Sequence, residues 1–480
     1  MIDTKALRSR ILDLAIQGKL TEQLPSDGTA EELYQQIQAE KLALIKEGKI
    51  KKEKPLPEIS ADEIPFEIPS NWKWVRWGNL SESIQYGYNA PAKESGRIKM
   101  VRITDIQNNK VQWDDVPYCD IDEESICNYI LKDNDILFAR TGGTVGKSFF
   151  VDNISEEAVY AGYLIRTRYS SNLCGKYLKL FMESEAYWKQ LRQGTTATAQ
   201  PNCNGQTLSK MIIPLPPLAE QKRIVERVEE IFRLLDTIDE AQEKYSADSQ
   251  ILKAKLITAG IQGKLTKQLE SDGTAHELYQ QIHEEKQKLI KEGKIKKEKP
   301  LPPISPDEIP FEIPQNWMWV RLSNIIDVRD GTHDSPKYHS EGIPLITSKN
   351  LSSGKLDFEN VKLISYEDAK KINERSYVEN GDILFAMIGT IGNPVIVDTD
   401  KEFCIKNVAL FKRYKGSEFN MNYLYYFLLM EQYEMQKITL GGLQPFVSLK
   451  LFRSHLVPLP PLAEQKRIAD VLERALGVVE

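Results

Sequence analysis

The sequence lacks the residues that usually mark a catalytic or metal-binding protein. The first of its five histidines is His276, so the first half of the chain has no imidazole for catalysis or for a metal. None of the cysteine pairs has metal-ligand spacing. The cysteines are odd in number and scattered, which indicates free thiols in a reducing cytoplasm: Cys119, Cys127, Cys174, Cys203 and Cys404. We therefore predict neither a metal nor a cofactor.

Long apolar segments are also absent. The longest candidate, LYYFLLM at 424–430, is far shorter than the roughly 20 residues that span a bilayer. The first 20 residues contain no continuous apolar run of the kind found in secretory signals. These absences predict a cytoplasmic protein without membrane contact.

An excess of positive charge is missing as well. Lysine and arginine number 63 against 69 aspartates and glutamates, which gives a net charge of −6. The overall field of the protein therefore does not attract nucleic acid, and any such binding must use local basic patches.

The main positive feature is an internal repeat. Residues 16–76 recur at 261–321 without a gap, and 50 of the 61 positions are identical. A second block, PLPPLAEQKRI, stands at 214–224 and again at 458–468. Repeats of this kind are the first sign of a duplicated architecture.

The segments between these blocks have diverged. Residues 77–213 and 322–457 are nearly equal in length but share only fragments, among them DILFA, a Gly-Thr-aliphatic-Gly turn and a Gln-Pro pair. We interpret each half as a constant frame around a changed interior, so that the chain carries two readers. The alternative is a recent duplication in which the middle drifted faster than the frame.

Helical signals mark the frame. Residues 4–18 are predicted to be helical, and a second helix begins at Thr29 with capping-box spacing to Glu32 and ends at Gly48. Thr274, Glu277 and Gly293 repeat these signals. Proline-rich connectors follow at 49–69 and 294–314, where helix is disfavoured.

The interiors are predicted to be α+β. Strands are predicted at 97–103, 135–140 and 148–152, and helices at 177–192 and 422–438.

A heptad pattern follows each PLPPL block, with apolar residues at steps of four and three. In the first copy these are Ile224, Val228, Ile231, Leu235 and Ile238, and in the second Ile468, Leu472, Ala475 and Val479. The pattern fits two helices that pair with each other, and it also fits helices that pack on their own domains. We expect the N- and C-terminal helices together to complete the second frame.

The glycine-rich segment ILFARTGGTVGKSFF at 136–150 raises the possibility of a phosphate-binding loop in a nucleotide hydrolase. Position 141 is threonine where the motif needs glycine, and the following residues favour a strand instead of a helix. The second copy, MIGTIGNP at 387–394, has no lysine. A turn between two strands fits better. Three carboxylates could be arranged as a nuclease site, but no motif surrounds them: Asp105, Asp114 and Asp115.

These features together resemble the DNA-specificity subunit of Type I restriction–modification enzymes. The resemblance rests on the PLPPLAEQKRI blocks with their heptads, on IP-x-NW-x-W-VR at 68–76 and 313–321, and on DILFA with the glycine turn in each half. DGTHDSPKY at 330–338 is similar to a frequent opening of a target-recognition domain. The resemblance covers essentially the whole chain.

The resemblance implies a subunit that recognises DNA without catalysing a reaction. Each interior would read one half of a bipartite sequence in double-stranded DNA. Two DNA-methyltransferase (modification) subunits would dock on the frames, and restriction/translocase subunits would join them. A tandem coiled-coil adaptor that binds proteins without reading DNA is the remaining alternative.

The implied fold is α+β, with two globular α/β target-recognition domains separated by long helices that form an antiparallel coiled coil, and with pseudo-twofold symmetry from the direct repeat. The predicted boundaries are N-terminal helices and linker at 1–60, target-recognition domain 1 at 61–217, a central helical region and linker at 218–305, target-recognition domain 2 at 306–461, and a C-terminal helix at 462–480.

Base-reading side chains are expected in the diverged interiors, because phosphate contacts carry no sequence information. In domain 1 we predict Gln85, Tyr86, Tyr88, Asn89, Lys93, Arg97, Arg102, Thr104, Arg140, Thr141, Lys147, Asn202 and Asn204. In domain 2 we predict Arg329, Thr332, His333, Lys337, Tyr338, Ser348, Lys349 and Asn350. Each of these residues taken singly is also compatible with plain surface. Tryptophans of the repeated frame are predicted to anchor each linker to its domain: Trp72, Trp74, Trp317 and Trp319.

Overall fold

The computed structural model describes residues 1–107, 110–194, 203–438 and 446–479. The chain divides into two units, Met1–Glu243 (unit 1) and Lys244–Glu480 (unit 2). Each unit contains one copy of the frame and one diverged interior.

Unit 1 mixes helices with short strands. Its helices are α1 (Thr4–Ile16), α2 (Ala30–Lys46), α3 (Trp77–Leu80), α4 (Glu123–Tyr129), α5 (Gly175–Glu183), α6 (Glu185–Gly194), α7 (Gly205–Lys210) and the first part of α8 (Leu218–Ile261). Its strands are β1 (Lys73–Arg76), β2 (Ser81–Tyr86), β3 (Ile98–Val101), β4 (Ile106–Gln107), β5 (Lys110–Val111), β6 (Tyr118–Cys119), β7 (Ile136–Ala139), β8 (Ser148–Phe150), β9 (Ala158–Tyr160), β10 (Leu164–Tyr169) and β11 (Ile212–Leu215).

Unit 2 repeats this plan. Its helices are the last part of α8, then α9 (Ala275–Lys291), α10 (Leu322–Ile325), α11 (Tyr366–Ser376), α12 (Met421–Ile438), α13 (Leu449–Ser454) and α14 (Leu462–Val478). Its strands are β12 (Met318–Arg321), β13 (Ile326–Asp330), β14 (Tyr338–His339), β15 (Ile343–Ile346), β16 (Lys362–Ile364), β17 (Ile383–Ala386), β18 (Gly392–Ile396), β19 (Cys404–Ile405), β20 (Val408–Arg413) and β21 (Leu456–Leu459).

The predicted capping box starts α2. The Thr29 hydroxyl accepts from the Glu32 backbone N–H at 3.3 Å, and the Glu32 carboxylate accepts from the Thr29 N–H at 2.9 Å. Thr274 and Glu277 do the same at the start of α9. Such reciprocal bonds satisfy two amides that a helix start leaves without partners.

In unit 1, α1 lies antiparallel to the start of α8. Thr4 donates to Asp239 at 2.5 Å, and Arg8 pairs with Asp236 at 2.7 Å. Arg8 lies one turn after Thr4 on α1, whereas Asp236 lies one turn before Asp239 on α8, so the two helices run in opposite directions. The expectation that α1 completes the second frame is therefore wrong. The short connection from α1 to α2 keeps α1 beside its own frame, in unit 1.

In unit 2, α14 lies antiparallel to the end of α8. A Cβ on Gly260 of α8 would come within 2.9 Å of Leu472 of α14. Farther along, Thr266 donates to Glu464 at 2.9 Å, and Arg467 pairs with Asp272 at 2.6 Å. The contact of Gly260 with Leu472 brings the two helix backbones close together, so each unit has its own antiparallel helix pair.

The apolar residues of the predicted heptad pattern, called here the heptad seam, lie on the buried sides of α8 and α14. The side chains of Ile224, Val228 and Leu235 are buried, as are those of Ile468 and Leu472. The remaining seam residues are half-buried: Ile231, Ile238, Ala475 and Val479. Ile224 and Val228 belong to the core of unit 1, and Ile468 and Leu472 belong to that of unit 2. These residues therefore pack each helix on its own unit.

A two-stranded ladder closes each interior at its base. β1 pairs antiparallel with β11, with Arg76 opposite Ile212. β12 pairs with β21 in the same register, with Arg321 opposite Leu456. The chain therefore enters and leaves each interior through neighbouring strands.

A four-stranded antiparallel sheet forms the centre of each interior. The strand order is β2-β10-β7-β8 in unit 1 and β13-β20-β17-β18 in unit 2. A second sheet, β6-β3-β9 or β14-β16-β15-β19, lies beside it. The predicted strands at 97–103, 135–140 and 148–152 correspond to β3, β7 and β8.

The predicted helix at 177–192 is interrupted. Ser184 has extended backbone angles, and its hydroxyl donates to the Phe181 carbonyl at 2.7 Å while accepting from the Tyr187 N–H at 3.4 Å. The serine thus ends α5 and begins α6. The counterpart α12 runs without a break.

Candidate nucleic-acid interface

The loops that leave the four-stranded sheet of unit 1 converge at one edge. β2 and β7 end there, at Tyr86 and Ala139, and β10 and β8 begin there, at Leu164 and Ser148. We call this edge, with residues 86–89, 140–147, 161–163 and 203–205, loop edge 1. The corresponding loops of unit 2, at residues 330–333, 387–391, 406–407 and 446–447, form loop edge 2.

One glycine at each edge is required by a close backbone approach. A Cβ on Gly87 would lie 2.2 Å from the Ala161 carbonyl oxygen, and a Cβ on Gly331 would lie 2.1 Å from that of Ile405. Real contacts at such distances do not occur, so only glycine fits. These glycines lead the chain from the first sheet to the second in QYGYN and in DGTHD.

The backbone bonds of the two edges match. The Gly87 N–H donates to the Leu164 carbonyl at 3.0 Å, and the Gly331 N–H donates to that of Val408 at 3.0 Å. The Cys203 N–H donates to the Arg140 carbonyl at 2.9 Å, as the Val447 N–H does to that of Met387 at 3.0 Å. Arg140 and Met387 therefore occupy equivalent places, although their side chains differ completely.

At loop edge 1 the side chains are aromatic and basic. The Arg140 guanidinium lies 4.6 Å from the centre of the Tyr86 ring. The Tyr86 hydroxyl accepts from the Gly205 N–H at 3.0 Å, and the Asn204 side chain caps α7 by accepting from the Thr207 N–H at 2.9 Å. Tyr163 exposes 68% of its surface.

At loop edge 2 the side chains form an acidic and amide network. The imidazole of His333 lies between the Asp330 carboxylate, at 2.9 Å, and the Asn407 amide oxygen, at 3.0 Å. Arg375 pairs with the other oxygen of Asp330. This surface presents different hydrogen-bonding groups from those of loop edge 1.

Buried ion pairs support both sheets. In unit 1 the buried Asp135 carboxylate accepts a hydrogen bond from Arg168 at 2.9 Å and lies 3.8 Å from Arg166. In unit 2 its counterpart Asp382 pairs with Lys412. Burial raises the pKa of the Asp382 carboxyl despite this lysine, and burial lowers the pKa of Arg166.

Some predicted contact residues have structural partners inside the protein. Gln85 accepts from Arg166 at 2.6 Å, and the buried Asn350 caps its own turn by accepting from the Thr347 N–H at 3.0 Å. Ion pairs of 2.5–3.0 Å join others to nearby carboxylates: Lys93 to Asp120, Arg97 to Glu123, Arg102 to Asp105 and Arg329 to Asp327. These contacts leave their DNA role a prediction.

The remaining predicted residues fall into three groups. Tyr86, Tyr88, Asn89, Arg140, Thr141, Lys147 and Asn204 lie at loop edge 1, and Thr332 and His333 lie at loop edge 2. Thr104, Lys337, Ser348 and Lys349 lie in turns beside the second sheets. Tyr338 lies in the second sheet of unit 2, on β14, where Lys362 contacts its ring at 4.2 Å. Asn202 lies outside the described residues.

Sequence reasoning missed several edge residues. Tyr163, Lys406 and Asn407 precede the central strands β10 and β20, and Arg375 lies on α11. Only the register of β10 and β20 with their neighbours brings the first three to the edges, and Arg375 reaches Asp330 from α11. No local sequence pattern marks them, apart from the Ala161-Gly162 turn before Tyr163.

The segments that an enzyme reading would need have other roles in this fold. The glycine segment forms a single 3-10 turn, Gly142–Thr144, between β7 and β8, as expected, and leads into β8 instead of an α-helix. Of the three carboxylates that could be arranged as a nuclease site on paper, Asp105 is buried against Arg102. Within the described ranges, no cluster of histidine, cysteine, aspartate and glutamate has the makings of a metal site. Over the same residues, no helix has the length and apolar character needed to cross a membrane.

Comparison with known proteins places these observations in a family. A family model described as Type I restriction modification DNA specificity domain matches residues 69–244 and 314–477. The EcoAI specificity subunit of Escherichia coli, from a Type I restriction enzyme, is 29% identical over 98% of this chain and 89% of its own length. The EcoEI specificity subunit of the same organism is 27% identical over 98% and 88%.

Solved structures agree in fold. The HsdS subunit from Thermoanaerobacter tengcongensis matches with a TM-score of 0.52 and 18% identity, over 86% of this chain and 92% of that chain. A chain from a structure of Type I restriction–modification complex assembly matches with a TM-score of 0.61, also at 18% identity, and over the same shares of both chains. The family model matches well over half of the sequence, once in each copy of the repeat, and this chain therefore belongs to the family of Type I restriction–modification DNA-specificity proteins.

Proposed function

We propose that this chain is the specificity subunit of a Type I restriction–modification complex and recognises a bipartite sequence in double-stranded DNA. The target-recognition domains are residues 61–217 and 306–461, and each reads one half-site. The observation that carries this proposal is the pair of loop edges, in which the same backbone hydrogen bonds present different side chains.

This arrangement suits two readers with different targets. The backbone must keep one geometry if both domains are to approach DNA in the same way. The side chains must differ if the half-sites differ, because base edges are discriminated by the pattern of donors and acceptors that meets them. Tyr86 and Arg140 at one edge, and Asp330 and His333 at the other, supply such different patterns.

The repeated frame suits two copies of one partner. The two frames share 50 of 61 residues in their long block, so a protein that binds one frame finds the same surface on the other. The specificity subunits to which this chain is similar are named as parts of Type I restriction enzymes. We assign methylation to two modification subunits bound to the frames, and ATP-dependent translocation and cleavage to restriction subunits. We place the assembled complex in the cytoplasm.

The decisive experiment is methylation-sensitive sequencing of the source genome with and without this gene. The expected result is loss of adenine methylation at one split motif. Purified chain with its methyltransferase partners should also prefer DNA that carries this motif. A complex that assembles but shows no sequence preference would support the adaptor alternative instead.

Replacing residues 77–213 by the interior of another specificity subunit tests the modular part of the proposal. We expect one half of the methylated motif to change and the other half to remain. The matched control replaces residues 322–457 and should change the opposite half. A change in both halves from either replacement would contradict one reader per unit.

A further inference from the structure

Arg140 differs from three other predicted contact residues of domain 1 in having no acidic partner among the described residues. Lys93, Arg97 and Arg102 each pair with a carboxylate at 3.0 Å or less. The Arg140 guanidinium instead lies on the Tyr86 ring, and its Nε is buried without a hydrogen-bond partner. No carboxylate of the described residues therefore competes with a ligand for the terminal amino groups of this guanidinium.

The surroundings hold Arg140 in place before any ligand binds. Its backbone N–H donates to the Tyr163 carbonyl at 3.1 Å, and its carbonyl accepts from the Cys203 N–H at 2.9 Å. The Tyr86 hydroxyl is fixed by the Gly205 N–H at 3.0 Å. The backbone of Arg140 and the ring on which its guanidinium lies are therefore both fixed at the end of the central sheet. A side chain that is already ordered loses less entropy on binding.

The chemistry of a stacked arginine favours guanine. The planar fork of a guanidinium donates two parallel hydrogen bonds to O6 and N7 of guanine in the major groove, and stacking on an aromatic ring leaves that fork free. Met387, at the equivalent place in unit 2, has no donor to offer.

We propose that Arg140, stacked on Tyr86, reads a guanine in the half-site recognised by unit 1, and that unit 2 reads its half-site without an arginine at the equivalent place. This inference rests on the proposed function and adds to it one specificity-determining residue with its base. Phosphate binding is the competing role for the same cation, and it would carry no base preference.

The test uses the full-length chain in complex with its methyltransferase subunits and duplexes in which each base pair of the motif is changed in turn. Arg140→Ala and Arg140→Lys are compared with the wild type. Lysine keeps the charge but loses the planar fork, so it separates base reading from attraction to phosphate. Lys147→Ala, in the same loop and exposed, is the control for a phosphate contact.

For both Arg140 variants we expect a loss of affinity for the intact motif of about 5- to 150-fold. Preference at a single G·C pair in one half-site should be lost, and preference at all other pairs should remain. Lys147→Ala should weaken binding to every duplex alike and reduce its dependence on salt.

Three results would overturn the inference. One is uniform weakening by Arg140→Ala with full rescue by Arg140→Lys, which is the behaviour of a phosphate contact. Another is unchanged discrimination at every pair by both variants. A third is loss of preference at several pairs together with a lowered melting temperature in Arg140→Lys, which indicates a structural role. A wild-type complex without sequence preference would instead defeat the proposed function.

Discussion

The indole Nε1 of Trp72 donates a hydrogen bond of 2.8 Å to the fully buried carboxylate of Glu220, although the two residues are 148 positions apart. Glu220 also accepts from Gln23 at 2.9 Å and from Thr21 at 3.2 Å. One carboxylate thus joins three parts of the frame: the linker after α1, the residue before β1, and the start of α8. Trp317 and Glu464 repeat the bond at 2.8 Å in unit 2.

The Glu220→Ala variant should destabilise unit 1 by about 3 kcal/mol, because the buried Trp72 indole, Gln23 and Thr21 all lose their acceptor. The measurement is the thermal or urea unfolding midpoint of the intact chain. Glu464→Ala should have a similar effect on unit 2, and Glu226→Ala, exposed on the same helix, is the control. Equal midpoints for Glu220→Ala and Glu226→Ala would contradict this role.

Acid should weaken the connector that precedes each interior. The Arg76 guanidinium, bonded at 2.7 Å, lowers the pKa of Glu63 from 4.5 to about 2. A lowered pKa in the folded state means that the ionised carboxylate stabilises the fold above pH 4.5, and that this contribution is lost as the pH falls through about 2.

We therefore expect Glu63→Gln to be less stable than the wild type at neutral pH, and the difference to shrink as the pH falls from 4.5 towards 2. Urea midpoints measured across this range provide the check. Glu67→Gln, an exposed carboxylate of the same connector, serves as control. A difference that stays constant with pH would show that the charge of Glu63 is not involved.

The Gly87→Ala variant should disturb loop edge 1 and leave loop edge 2 intact. The new Cβ would meet the Ala161 carbonyl oxygen at 2.2 Å, so the chain must shift between the two sheets. We expect this variant to lose recognition of one half-site. The measurement is methylation of DNA duplexes in which one half of the motif is altered at a time. Gly331→Ala should affect the other half.

Gly143→Ala is the matched control, since nothing lies within 4 Å of its Cβ position. Recognition by Gly143→Ala should equal that of the wild type. Normal half-site recognition by Gly87→Ala would show that the close approach at Ala161 does not position the reading loop.

Shortening the side chain of Leu472 should loosen the helix pair of unit 2. Its side chain is fully buried and contacts the α8 backbone at Gly260. Leu472→Ala should cost about 2–5 kcal/mol through lost burial and a remaining cavity. Leu234→Ala, at a position that is 60% exposed, should have a far smaller effect on the unfolding midpoint.

The sequence was sufficient for features that depend on neighbouring residues. The capping box at Thr29, the strands β3, β7 and β8, and the buried residues of the heptad seam were all predicted, because each depends on a local pattern of hydrogen-bonding or apolar side chains. The repeat also predicted that the two copies of the frame have the same structure, because their sequences are nearly identical. The α+β fold with its internal repeat is confirmed.

Features that depend on distant partners could not be predicted in this way. Asn350 is a polar residue in a diverged interior, yet it is buried as a turn cap. Tyr163 reaches loop edge 1 only because β10 pairs with β7 and β2, which lie about 25 and 80 residues earlier in the chain. The place of α1 was mispredicted because the two frame copies offer the same surface to it.

The ladders β1–β11 and β12–β21 have an evolutionary consequence. The strand that leads into each interior lies beside the strand on which the chain leaves it, about 4.8 Å away. A foreign module whose termini are equally close can be spliced in there without moving any helix of the scaffold. New specificities can therefore arise by cassette exchange, one half-site at a time, while docking to the other subunits of the enzyme is preserved.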